Sequence, residues 1–213
     1  MFQSMQTRSV RIGYQSVQSP PVLIVLNGAS SSGKTRTAHA IQSLLGANCM
    51  ITGLDDVLER VRPFGMTTST TLGSLRRSTR IIWFQLTDGR LKLFKQLHRE
   101  VVSLYEAGYN VIVDTTLMDR RALLDAAQCF APLQGFFTGL KPPLEISEAW
   151  EIRRVDRPPG QVRKHYDLVH AHHTYDLLLD PSKMTSEECA RLILQSCESI
   201  MPTAFQRLLQ QSD

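Results

Sequence analysis

Acidic residues are missing from the first quarter of this 213-residue chain; the first is Asp55. Only Arg8, Arg11, Lys34 and Arg36 supply positive charge before it, and the other 20 of the 24 basic residues equal the 20 acidic ones in number. The net charge of +4 is therefore an N-terminal excess, not a general bias. No long basic run exists, so ordinary surface charge plus a phosphate site explains the excess better than a nucleic-acid partner does. Cysteine is scarce, and Cys49, Cys129, Cys189 and Cys197 form no CxxC pair. That argues against a disulfide framework or a zinc site and for a reducing, cytoplasmic compartment. No apolar run approaches the roughly 20 residues of a membrane span, so no membrane partner is expected. Hydrophobic residues at 42% and charged residues at 21% leave enough material for a core and exclude wholesale disorder.

Residues 1–21 are polar, acid-free and rich in Ser and Gln. They read as a loose N-terminal extension, with only a faint likeness to an organelle transit peptide. Residues 22–213 read as one domain. Val22 to Leu26 is a continuous apolar run ending in Asn27-Gly28, the pattern of a buried parallel strand. Further strands are expected at Met50–Gly53, Val111–Val113, Phe136–Leu140 and Leu177–Leu179. Helices are expected at Lys34–Leu45, Asp55–Val61, Leu91–Ala107, Arg120–Cys129, Ser147–Arg154 and from Thr185 onward. Phe64–Gly73 and Asp156–Gly160 read as loops, and Phe205–Leu209 as an amphipathic helix packing back on the domain. Alternating strands and helices make this an α/β protein with a central parallel sheet flanked by helices. Ligands of such sheets gather at the carboxyl ends of the strands.

Gly28-Ala29-Ser30-Ser31-Ser32-Gly33-Lys34-Thr35 matches GxxxxGK[ST] in full, between a buried strand and an amphipathic helix. Its glycines let backbone N–H groups turn inward onto phosphate oxygens, and the helix N-terminus adds positive potential. Lys34 would bridge the β- and γ-phosphates of ATP, and Thr35 would place its hydroxyl on Mg²⁺. The loop names the donor and leaves the acceptor open. Asp55 and Asp56 follow the second strand, where a carboxylate at the end of the strand beside the phosphate loop would take the proton of an acceptor hydroxyl. One of the pair reads alternatively as a helix cap, both roles being compatible, and since neighbouring residues rarely point the same way only one is expected to face the γ-phosphate. Asp114 ends an apolar strand and suits a carboxylate behind Mg²⁺. Arg153, Arg154 and Arg157, with Asp156 and Gly160, read either as a lid closing near residues 153–161 over a triphosphate or as a solvated helix face. His170, His172 and His173 lack acidic or Cys partners at metal spacing, which favours a surface or substrate-proximal role. Trp83, Phe84, Phe136 and Phe137 read as core or pocket wall.

Leu26 to Thr35 resembles the phosphate loop of the chloramphenicol phosphotransferase family, which runs LNG, two or three small residues, then GK[ST]. Gly53-Leu54-Asp55 with Leu58-Glu59 resembles that family's Gly-Val-Asp segment, and the resemblance implies that Asp55, not Asp56, is the base. Gly108 with Val111 to Asp114 resembles its next strand, and Arg154-Val155-Asp156-Arg157 with Gly160 resembles its Arg-x-Asp-Arg lid. Lys164, His170, Tyr175-Asp176, Asp180 and Ser186 to Ala190 continue the match, which spans about Leu23 to Leu194. The resemblance implies a P-loop kinase fold and ATP-dependent phosphorylation of a small-molecule hydroxyl, with Lys34, Asp55, Arg154 and Arg157 catalytic and Thr35 and Asp114 on Mg²⁺. In the family's namesake the acceptor is chloramphenicol, and phosphorylation inactivates the drug.

Departures from the pattern matter. Thr115 stands where a second family carboxylate is found, and Asp56 where a hydroxyl residue is. The stretch Pro63–Asp88 has little similarity, and its Thr67 to Thr71, Arg76, Arg77 and Arg80 suit a more hydrophilic or anionic acceptor. A kinase of a sugar acid, nucleoside or cofactor precursor is the second reading, and a nucleotide-hydrolysing regulatory protein without an acceptor is the third. The expected partner is a small-molecule hydroxyl acceptor. Self-association is left open.

Overall fold

The computed structural model describes residues 20–60, 87–153 and 160–211. Nearly all of the N-terminal extension, most of Pro63–Asp88 with Trp83 and Phe84, and Arg154, Asp156 and Arg157 therefore fall outside the described residues. Five strands form one parallel sheet: β1 (Leu23–Asn27), β2 (Cys49–Gly53), β3 (Asn110–Thr115), β4 (Phe136–Leu140) and β5 (Leu177–Leu179). The described helices are α1 (Lys34–Leu45), α2 (Leu54–Arg60), α3 (Thr87–Glu106), α4 (Arg120–Phe130), α5 (Leu144–Ile152), α6 (Gln161–His170), α7 (Ser186–Ser199) and α8 (Ala204–Gln210).

The strand order is β2-β3-β1-β4-β5. β1 is central, and all five of its residues are buried, as a strand covered on both faces requires. The period of two sorts the apolar side chains into two cores. Leu23, Val25, Val111, Val113 and Phe137 face α3, α4 and α8, whose Phe94, Leu97, Ala126, Phe130 and Phe205 meet them. Ile24, Leu26, Ile112 and Leu140 face α1 and α7 through Ala38, Ile41, Ala190 and Ile193.

The order corrects one expectation. β2 is not beside the phosphate loop, because β3 lies between β1 and β2. In register, Leu26 pairs with Asp114 and Asp114 pairs with Gly53. Asp55 thus stands one strand further out than expected, roughly 10 Å from the β1 line at about 4.8 Å per strand. The end of β2 still comes close to β3: a Cβ on Gly53 would meet the Asp114 carbonyl oxygen at 2.6 Å. Only glycine allows that approach without displacing backbone.

Two helices depart from the sequence pattern. α5 begins at Leu144, directly after Pro143 at its N-cap, rather than at Ser147. α6 is not foreseen by the pattern, because its buried stripe is only Val162, Val169 and His170. Thr185 caps α7 instead of opening it, in a reciprocal capping box with Glu188.

The α8 expectation holds. Phe205 stacks on Phe137 at 4.7 Å and meets Phe130 edge-on at 5.7 Å between ring centroids. Phe205→Ala should cost about 3–5 kcal/mol. Urea unfolding of the two proteins checks the loss, and an unchanged midpoint would remove α8 from the core.

Candidate active site

The phosphate loop joins β1 to α1 at the carboxyl edge of the sheet. Ser31 (φ 58°) and Gly33 (φ 89°) both take left-handed backbone, the alternation that turns successive N–H groups toward one concavity. Gly28 is required by space: a Cβ there would meet the Leu140 carbonyl oxygen at 2.5 Å and Ser32 Oγ at 2.6 Å. Lys34 Nζ donates to the carbonyls of Gly28 (2.9 Å) and Ala29 (2.8 Å), and lies 4.0 Å from Asp114 Oδ1. Its ammonium is thus held at the mouth of the loop, buried to 7% exposure. Buried Ser32 Oγ and half-buried Ser31 Oγ have no hydrogen-bond partner. Two orphaned hydroxyls in a cradle of this shape fit a polyanion that supplies acceptor oxygens.

Thr35 Oγ1 donates to Asp114 Oδ2 at 2.7 Å. A hydroxyl and a carboxylate so paired are hard oxygen donors of the kind Mg²⁺ takes. Among the described residues no cluster of three or more His, Cys, Asp or Glu is placed to hold a metal. Protein ligation would therefore rest on this pair, the remaining sites going to phosphate and water. Thr115, at the position of the family's second carboxylate, is buried with an unpaired Oγ1. Thr116 donates from Oγ1 to the Gly28 carbonyl at 3.1 Å, so the chain after β3 braces the loop.

Asp55 and Asp56 lie in the first turn of α2, and both are exposed. Acidic side chains there match the positive end of the helix. Val57 anchors α2 in the core, and Arg60 Nη2 bonds both carboxylate oxygens of Glu100 on α3 at 2.7 Å. That half-exposed pair contributes at most about 1 kcal/mol, and it ties the last residue of α2 to α3.

Arg153 is exposed at the end of α5, and Gly160 in left-handed backbone opens α6. Glu151 is buried to 4% exposure. Its carboxylate accepts from the backbone N–H groups of Gly160 (2.8 Å), Gln161 (3.1 Å) and Val162 (3.0 Å). Arg163 grips Glu148 through Nε (2.7 Å) and Nη2 (2.9 Å). Both ends of the Arg-rich segment are thereby tied to each other. Lys183 and Pro181 follow β5, and Pro181 is 3.6 Å from where a Gly33 Cβ would lie, so this turn flanks the loop.

The three histidines differ: His173 is exposed and His172 half-buried, and only for His170 is the surface reading corrected. His170 is not on the surface: it is 3% exposed and its Nδ1 lies 2.7 Å from the Tyr175 hydroxyl. Burial and the nearby charges of Lys141 and Lys34 pull its pKa down to about 3. Burial and His173 pull His172 down to about 4. Asp176 is structural as well, accepting from the N–H groups of Phe137, Thr203 and Ala204.

Asn27, quoted above only as part of the loop pattern, is fully buried. Its Nδ2 donates to the Val169 carbonyl (3.2 Å) and the Tyr175 hydroxyl (2.9 Å), and its Oδ1 accepts from Leu117 N–H (2.8 Å). No local pattern reveals such a role, since its partners lie about 90 and 140 residues away.

A protein-family model described as "Chloramphenicol phosphotransferase-like protein" matches residues 21–198. The chain is 31% identical over 199 residues to "Putative O-phosphotransferase Rv2636" of Mycobacterium tuberculosis, covering 87% of each protein. Among solved structures it resembles the Mycobacterium tuberculosis APS kinase CysC in complex with AMPPNP and APS. That likeness has a TM-score of 0.56 and 18% identity over 84% of this chain and 99% of the other. It also resembles a sugar kinase from Janibacter, with a TM-score of 0.60 and 16% identity over 87% and 98%. At these identities the two structures speak for the P-loop kinase fold.

The histidines give a pH prediction. A neutral His170 in the fold means that the unfolded chain alone binds a proton between pH 6.5 and about 3. Stability is then full above pH 6.5 and falls as the pH drops. At pH 5 the loss from His170 alone is about 2 kcal/mol, at 1.36 kcal/mol per pH unit. Urea unfolding at pH 7.5 and pH 5 should show it, with a shallower fall in His170→Asn. An identical fall in the variant would acquit His170.

Proposed function

The chain belongs to the chloramphenicol phosphotransferase-like family, and from that membership we propose how its residues carry out phosphate transfer. It is an ATP-dependent phosphotransferase acting on a hydroxyl of a small molecule. The observation that carries the reading is the convergence at one sheet edge of the Gly28–Thr35 loop, the Thr35–Asp114 pair and the Asp55 helix.

The loop backbone and Lys34 hold the triphosphate, with Lys34 shifting from the Gly28 and Ala29 carbonyls to phosphate oxygens. Thr35 and Asp114 would hold Mg²⁺, which supplies neutralisation of charge on the phosphates. Asp55 accepts the proton of the acceptor hydroxyl as its oxygen bonds to the γ-phosphorus. The bond from that phosphorus to the β,γ-bridging oxygen breaks, and ADP leaves. Such base assistance is worth about 10²–10⁴ in rate. Arg154 and Arg157 close over the transferring group, where guanidinium forks match phosphoryl oxygens. The four cysteines are free, which supports a reducing, cytoplasmic setting. No described helix is long and apolar enough to cross a membrane.

Chloramphenicol is the first acceptor to try, beside sugars, nucleosides and acidic alcohols. Asp55→Asn should keep nucleotide affinity and lose about 10²–10⁴ in transfer rate. Lys34→Ala should weaken both binding and transfer. Calorimetry with nucleotide and a coupled assay of ADP release read the two effects separately. Full turnover by Asp55→Asn would take Asp55 out of the mechanism.

A further inference from the structure

Lys34 cannot give the same hydrogens to its own loop and to a nucleotide. Its Nζ donates to the carbonyls of Gly28 (2.9 Å) and Ala29 (2.8 Å). An ammonium has three hydrogens. Bridging the β- and γ-phosphates takes two of them, so the two carbonyl bonds cannot both be kept. Gly28 and Ala29 are buried. A carbonyl given up there cannot turn to water, and a buried acceptor left without a donor is costly. Nucleotide binding would work against itself unless another donor already stood at each oxygen. The Ala29 oxygen accepts a second bond from the Ser32 backbone N–H at 3.3 Å. The Gly28 oxygen accepts a second bond from Thr116 Oγ1 at 3.1 Å. A carbonyl has two lone pairs, so Lys34 shares each oxygen with a donor that does not need to move.

The two second donors differ in kind. Ser32 belongs to the loop itself, and its backbone N–H is there whatever the side chain. Thr116 comes from the turn after β3, 88 residues away, and the bond depends on its hydroxyl. That hydroxyl is held in place from both sides. Asp114, two residues before it, is tied to Thr35 at 2.7 Å, and the Leu117 N–H directly after it donates to Asn27 Oδ1 at 2.8 Å. Two donors at 2.9 and 3.1 Å from one oxygen lie no more than about 6 Å apart, so Thr116 Oγ1 stands beside the Lys34 ammonium. We propose that Thr116 is a positioning residue for the nucleotide. Its hydroxyl keeps the Gly28 carbonyl satisfied when Lys34 moves to the phosphates, and so lowers the cost of that move. The proposal rests on the kinase reading above and adds a residue to its donor side.

The test separates affinity from stability. Thr116→Val and Thr116→Ala remove the donor, and Thr116→Ser keeps it. Calorimetry with ATP and magnesium measures affinity, and urea unfolding without nucleotide measures stability. Thr116→Val and Thr116→Ala should lose about 5- to 100-fold in ATP affinity, because the Gly28 oxygen is stranded only once Lys34 has left it. The unfolding midpoint of Thr116→Val should stay near that of the wild type, since Lys34 then covers Gly28 alone. Thr116→Ser should bind ATP like the wild type. A bond that mattered equally with and without nucleotide would alter stability and leave affinity where it was. Unchanged ATP affinity in the two donor-less variants, whatever their stability, would therefore overturn the proposal, and so would a Thr116→Ser protein as weak as Thr116→Val. Failure of the wild type to bind ATP would instead overturn the kinase reading beneath it.

Discussion

One buried amide holds the donor side of this site in place. Asn27 ends β1 immediately before the phosphate loop, and its side chain bonds the chain after β3, the end of α6 and the Tyr175 hydroxyl. All of its donors and its acceptor are used inside a fully buried environment. A buried polar group left unsatisfied costs about 1–3 kcal/mol, so the segments around Asn27 have one low-energy arrangement. The loop takes its direction from that arrangement. Thr116 and Pro181 then close on it from the β3 and β5 sides.

The electrostatics of the same edge follow from what is kept neutral. Lys34, Lys141 and Arg90 all stand at this end of the sheet. His170, with Lys34 and Lys141 near it, is driven to its uncharged form. Another cation beneath the loop would repel Lys34 when no nucleotide is bound. A neutral imidazole lets the loop fold before its anion arrives, while Glu151 spends its charge on three amides of α6 rather than in the crevice.

Much of this was legible in the residues, for reasons that can be given strand by strand. β1 and β3 are continuous apolar runs because both faces of the sheet are covered. The loop between β1 and α1 follows a spacing fixed by phosphate geometry. Such local signals placed Lys34, Thr35 and Asp114 together, and their contacts agree. Strand order was not legible: nothing in Met50–Gly53 or Val111–Val113 says which lies next to β1, so Asp55 was expected one strand too close. α6 escaped notice because it buries so few side chains. The burial of His170 and the roles of Asn27 and Glu151 depend on partners distant in the chain or on a helix that the pattern hides. Long-range pairing of this kind leaves no periodic trace.

The Glu151 carboxylate has a consequence for how the fold can diverge. It fastens the last turn of α5 to the first turn of α6, so Arg153 and Gly160 stand at points set by the scaffold. Doubling the length of such a tethered connection adds only about 0.6 kcal/mol of closure entropy. A chain built this way can trade one insert for another, longer or shorter, while the sheet and the phosphate cradle keep their geometry. Novel chemistry can then be acquired by cassette exchange between these two anchors, without refolding the rest.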